Sequence, residues 1–210
     1  VKGDVRLIAN FLIDEVLSRQ SQSIIQNLLS TAILDRFNGK IIEAITQNDQ
    51  ENHEERIIER LHQTNLFLIS LDKDNNWYRY HHLFRELLFN QLKKRFSVEE
   101  IKELHLKAAH WFRDQELHEE AIHHFLSAGD NNSAISLVEK NAHAEFVYGI
   151  AKVEKWLHKL PEEIKEGNPA LLLFEAWHAF GTFQLEKIPT IIEKVESLLV
   201  GQTPRPRLSA

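Results

Sequence analysis

Cysteine and methionine are absent from the 210 residues, glycine and proline are scarce at seven and five, and no apolar run is long enough to span a membrane, which takes roughly 18 residues. Without cysteine there is no disulfide framework, no thiolate nucleophile and no thiolate zinc site, as expected of a reducing compartment. A signal peptide is not expected either, because Asp4, Asp14 and Glu15 interrupt the region where its apolar core would lie, and the expected location is cytoplasmic. Basic excess is lacking too. Twenty-five Lys and Arg against 31 Asp and Glu give a net charge of -6, with the two signs interspersed, so no long basic face exists to neutralise a phosphate backbone. Neither a Gly-rich phosphate loop ending in Gly-Lys-Ser or Gly-Lys-Thr nor a Gly-x-Ser-x-Gly elbow occurs, and no catalytic residue is expected. The chain opens on Val1 and ends a few residues after an amphipathic stretch, so it is expected to be a piece of a longer protein.

What is present is an apolar fraction of 43%, enough to bury one good core or two small ones. The most informative stretch is 65–92, where the hydrophobic period changes. Residues 66–71 form an apolar, β-prone run, 72–76 a polar turn, and 77–80 an alternating second strand. From His81 onward Leu83, Phe84, Leu87, Leu88 and Leu92 recur at helical steps. Upstream, helices are expected over 5–17, 21–32, 40–46 and 53–63, with a break at 35–39 and a polar loop at 47–52. Helices, then a β-hairpin, then a helix describe a winged-helix domain. Its helix before the wing carries Glu54, Glu55 and Glu59, and its wing turn holds one lysine between two aspartates, so this winged helix is expected to pack against protein rather than DNA.

Ser97 with Glu100 forms a capping box, and beyond it the β-prone pattern does not return. The domain border is therefore placed between 97 and 98: a winged-helix module over 1–97 and a helical repeat region over 98–210. Six helices, over 105–114, 119–128, 133–147, 151–160, 169–181 and 185–200, are expected to make three hairpins, with a break over 161–169. Trp111 and Trp177 align within two similar stretches, and their separation is close to two periods of about 34 residues, the tetratricopeptide length. Ala108, Ala109, Ala121, Ala134, Ala176 and Ala179 permit the close helix approach of such hairpins. The fold class is mostly α: a winged helix with one β-hairpin, followed by tetratricopeptide-like helical hairpins in an α-α superhelix.

The order FLIDEVLSRQ, LLSTAILDRFNG, ERLHQTNLFLISLD, WYRYHHLFRELL and LHLKAAHWFRDQELHEEAIHHFLSAGD resembles the middle of the MalT-type, LuxR-related transcriptional activators. The resemblance spans nearly residues 7–140. It implies a regulator of the signal-transduction (STAND) ATPase class, with an ATPase domain before this region and a LuxR-type helix-turn-helix after it. It also implies ATP or ADP as the parent protein's cofactor, with none held by this segment alone. The implied partners are the parent's own ATPase domain, and a small-molecule inducer or a protein on the helical array. DNA would be met only through the C-terminal helix-turn-helix domain, and no membrane is implied.

Arg79, Tyr80, His81, Leu83 and Phe84 match the family's Arg-Tyr-His-x-Leu-Phe pattern. The resemblance implies that His81, with Arg79, contacts the phosphates of bound ADP across the domain boundary in the resting state. A histidine that starts a helix can donate a ring N–H to an anion near the exposed backbone donors. It can equally cap the helix or bond a backbone carbonyl, and both readings stand at this stage. His82 is expected to face solvent or pack locally. Twelve histidines raise the question of a metal, but His105 and His110, like His118 and His123, are five apart and lack the spacing of a zinc-protease motif. Most are expected at solvated positions, and no metal is expected. Two functions remain: a regulatory module of an ATP-dependent transcriptional regulator, coupling nucleotide state to signal sensing, or a free-standing tetratricopeptide-like protein-protein adaptor.

Overall fold

A computed structural model describes residues 17–18, 20–46, 68–72, 77–145 and 150–202, with only the backbone considered at 143–145, 150, 201 and 202. Most of the expected first helix, the 47–52 loop, the 53–63 helix and the tip of the wing lie outside the described residues. The chain forms two compact units, Val1–Asp114 and Gln115–Ala210. Among the described residues, no helix is long and apolar enough to cross a membrane.

In the first unit, α1 (Gln22–Thr31) starts at Ser21, whose hydroxyl accepts from the Ile24 N–H, and it buries Ile25, Leu28 and Leu29. The amide oxygen of Asn38 similarly accepts from Ile41 N–H and opens α2 (Gly39–Thr46), which buries Ile41, Ile42 and Ile45. Strands β1 (Leu68–Ser70) and β2 (Tyr78–Tyr80) are antiparallel, with Leu68 opposite Tyr80 and Ser70 opposite Tyr78. The expected break at 35–39 contains a third sheet partner. Phe37 and Tyr78 exchange two backbone hydrogen bonds of 2.8 Å, placing β2 between β1 and the α1–α2 connection. A one-residue bridge has no period, so sequence patterning could not show it.

Helix α3 (His82–Arg95) follows β2 at once and buries Phe84, Leu87, Leu88 and Leu92; Lys93, Lys94 and Arg95 meet the negative end of its dipole. Phe96 and Ser97 then separate it from α4 (Val98–Asp114). The capping box is present in both directions: Ser97 N–H donates to the Glu100 carboxylate at 2.7 Å, and Glu100 N–H to Ser97 Oγ at 3.2 Å. The bonds that the Glu100 carboxylate accepts from Ser97 N–H and, at 2.9 Å, from the Ser97 hydroxyl hold it below its usual range. Helix α4 packs against α2 and α3, and the first compact unit continues past 97 to Asp114.

The second unit contains α5 (His118–Ala128), α6 (Asn131–Glu145), α7 (Ile150–Lys159), α8 (Glu162–Glu166), α9 (Pro169–Gly181), a 3-10 turn (Leu185–Lys187) and α10 (Ile188–Gln202). α5 pairs with α6 and α9 with α10, while α7 touches α5, α6 and α9. Fully buried Ala121 and Ala134 allow the first pair to approach closely. The one-turn α8 occupies what the sequence marks as a break. Pro161 precedes it, Glu162 and Glu163 sit at its positive end, and Lys165 is drawn inward by carboxylates, a tertiary contact that no local pattern shows.

Gly129 ends α5 in the left-handed conformation at φ 82°, with Gly129 N–H on Leu126 O and Asp130 N–H on Phe125 O, a Schellman closure. Asp130 then starts α6 by accepting from Ser133 N–H. A Cβ added at Gly129 would meet nothing within 4 Å, so Gly129→Ala isolates the cost of the backbone conformation. The expected loss is about 1 kcal/mol, or roughly 2–4 °C in the midpoint of thermal unfolding. An unchanged midpoint would show that the left-handed turn is not held in the folded chain.

Candidate functional site

The strand-to-helix junction at 79–84 divides its residues by face. Tyr78 and Tyr80 point into the core at 4% exposure each, while Arg79, between them, is exposed. The Tyr80 ring lies 4.7 Å from Phe37 and 5.6 Å, edge-on, from Phe84. Its hydroxyl is 2.7 Å from Thr31 Oγ1, and because Thr31 spends its own proton on Asn27 O, Tyr80 is the donor to Thr31. Burial raises the pKa of the Tyr80 phenol, so the group stays a neutral donor. Tyr80 and Phe84 are therefore structural members of the motif, and Leu83 is half-buried.

His81 sits at the N-cap position of α3 (φ -55°, ψ 137°), half-buried, and its side chain makes no capping bond to the helix. Its ring packs on that of exposed His82 at 4.3 Å between centroids. Its carbonyl accepts the Arg85 N–H at 3.0 Å, closing the first turn. No acidic residue occupies that first turn, where the backbone N–H groups and the positive dipole end of α3 lie. The His81 side chain thus makes no capping bond to the helix it starts.

Arg85 is a residue that the sequence reading did not single out, although it lies within the WYRYHHLFRELL motif, one turn beyond His81. Its Nε donates to Ala32 O at 3.1 Å and its Nη2 to Ile33 O at 3.3 Å, and its guanidinium pairs with Asp35. Beside Asp35, Arg36 stacks over the Trp77 ring at 4.6 Å.

The second unit holds a cleft of about 340 Å³ between α7, α8, α9 and the start of α10. Leu157, Ala179 and Ile191 supply apolar surface; Glu154, His158, Lys165, Glu175, His178 and Lys187 supply charge and hydrogen bonds. His178 Nε2 is buried with no hydrogen-bond partner among the described residues, and it lies 3.5 Å from a Glu154 oxygen whose partner oxygen is 3.7 Å from His158 Nε2. Lys165 is 10% exposed and reaches Glu162 at 2.7 Å and Glu175 at 3.0 Å. Of the histidines expected mostly at solvated positions, His82, His110, His123 and His158 are exposed, whereas His105 and His124 are buried. Among the described residues, no group of three or more histidines and carboxylates is placed to hold a metal ion.

Residues 13–100 match the family model described as the MalT winged helix domain. The HTH-type transcriptional regulator MalT of Cronobacter sakazakii is 30% identical over 196 residues, covering 93% of this chain and 21% of that protein. The regulator of the same description from Vibrio parahaemolyticus is 27% identical over 188 residues, covering 89% of this chain and 20% of that protein. The chain thus spans about a fifth of the length of these curated relatives. With helices, hairpin and helix in the expected order and the family model lying over them, residues 13–100 carry the MalT winged helix domain, and the chain is a MalT-type segment.

Proposed function

We propose that this segment is the regulatory and interaction part of an ATP-dependent MalT-type transcriptional regulator, in which the winged-helix unit reports nucleotide state and the helical unit receives a signal. The observation that carries this reading is the junction at His81. A half-buried imidazole stands at the N-terminus of a 14-residue helix whose first turn carries no acidic residue, while exposed Arg79 lies two residues earlier on β2. Such a group can donate to a phosphate oxygen of ADP held by the parent's ATPase domain, favouring the resting state. The cleft beside His178 supports a small-molecule inducer on the helical unit, since a buried ring nitrogen with no hydrogen bond among the described residues, only a 3.5 Å approach to Glu154, is the kind of group a ligand satisfies. DNA contact is assigned to a C-terminal helix-turn-helix domain of the parent.

The test is His81→Ala in the full-length regulator, with His82→Ala as control. Losing a charge-assisted hydrogen bond of roughly 1.5–3 kcal/mol in one state only should speed ADP release about ten- to hundredfold and raise inducer-independent transcription. A folded His81→Ala protein that releases ADP at the parental rate, with parental basal activity, sinks this reading.

A separate observation favours interaction by the second unit. Leu173, Trp177 and Phe180 form an exposed ridge along α9, continued by Phe183 and Leu185 in the turn after it. This apolar face supports protein docking on the helical unit, which is also what the adaptor reading requires.

A further inference from the structure

The two arms that meet at His81 are tied to one short corner of the chain. The strand arm is held where Phe37 and Tyr78 exchange their 2.8 Å backbone bonds. The helix arm is held where Arg85 grips Ala32 O, Ile33 O and the Asp35 carboxylate. All these partners lie within residues 32–37. Ala32 caps the C-terminal end of α1, where carbonyls lack helical partners and the dipole is negative, so a guanidinium is well matched to them. Arg85 also contributes its backbone N–H to the His81 carbonyl. The residue that closes the first turn of α3 is therefore the one that anchors that turn.

We propose that Arg85 is the positioning residue of this junction: by clamping α3 to the 32–35 corner, it fixes the place and aim of His81 relative to the phosphates it meets. The proposal rests on the nucleotide-sensing role of His81. It assigns Arg85 no contact with nucleotide. A planar fork that serves two carbonyls and a carboxylate at once is not replaced by an ammonium, so Arg85→Lys loses the clamp while keeping the charge.

The experiment is ADP dissociation from the full-length regulator carrying Arg85→Lys, His81→Ala or both. The expected result is release several-fold faster in Arg85→Lys, and less than a further twofold when Arg85→Lys is added to His81→Ala, since a residue acting through His81 has nothing left to position. Asp35→Asn, which loosens the clamp from the other end, should reproduce the smaller part of the effect. Parental release in Arg85→Lys with fast release in His81→Ala overturns the proposal alone. Multiplying effects in the double variant also overturn it, because Arg85 would then act independently of His81. Parental release in His81→Ala overturns the underlying reading and this proposal with it. As a check that needs no parent protein, ring NMR signals of His81 in the 210-residue chain should shift in Arg85→Lys while those of buried His105 and His124 stay in place. Shifts of equal size at all three would mean general loosening and would also overturn it.

Discussion

Phe37→Ala is expected to destabilise the first unit by about 3–5 kcal/mol, the range for truncating a buried phenylalanine to alanine. Phe37 is 0% exposed, and its ring lies 4.7 Å from Tyr80 and 6.5 Å from Tyr78. Removing the ring leaves a cavity beside two tyrosines held in place by other bonds, Tyr80 by Thr31 and Tyr78 by the sheet, so neither can collapse freely into it. Because Phe37 pairs with β2 through its backbone, Phe37→Leu should keep the bridge and recover a large part of the loss. Denaturant unfolding of the 210-residue chain is the measurement. A loss below about 1 kcal/mol for Phe37→Ala would mean that the α1–α2 connection is not packed against the sheet as described.

Lys165→Met should cost the second unit about 2–4 kcal/mol at neutral pH. Breaking a fully buried ion pair costs roughly 3–5 kcal/mol, and some of that is discounted because Glu175 is 24% and Glu162 64% exposed. Methionine keeps most of the aliphatic stem, so what is removed is the charge. The pH dependence follows from the direction of the shifts. Burial alone would lower the Lys165 pKa from 10.5, but the hydrogen bonds and charges of Glu162 and Glu175 outweigh it and raise it. Bonding from Lys165 holds Glu162 below 4.5. A lowered carboxylate stabilises above the unfolded carboxylate range and loses that contribution as pH falls through its folded value; a raised ammonium stabilises below 10.5 and loses it as pH rises through its folded value. The stability gap between the parental chain and Lys165→Met should be widest between those limits and should narrow towards acid. Urea titrations at pH 3 and pH 7 test this. A variant as stable as the parent at pH 7 would show that desolvation of the ammonium cancels the pairing.

Much of the first unit was legible because its signals are local. The switch of period at 77–84 marks a strand running into a helix, and Ser97 with Glu100 marks a helix start through two side-chain bonds only three residues apart. The motif carrying Arg79 and His81 could be read as a string, but its division into core and surface could not. Tyr80 and Phe84 are indistinguishable from functional aromatics until Thr31 and Phe37 are placed beside them. Arg85 was hidden for the same reason, since its partners lie about fifty residues away in sequence. In the second unit, the helix beginning at Pro169 was legible after the break before it, whereas the Asn168 cap, α8 and the cleft beside His178 appear only in the folded chain.

Helix α3 can be viewed as a lever. Its 14 residues make a rod about 21 Å long, with His81 at the tip and the two-residue connection to α4 at the base. Held only at its base, a swing of about 10° would carry the tip through nearly 4 Å, more than the whole length of a hydrogen bond. Arg85 grips the rod about 6 Å from the tip, and the same angular play about that point displaces His81 by only about 1 Å. A fulcrum near the working end trades reach for accuracy, and it adds to the hold that the Phe37–Tyr78 bonds and buried Phe84 already have on the same end of the rod.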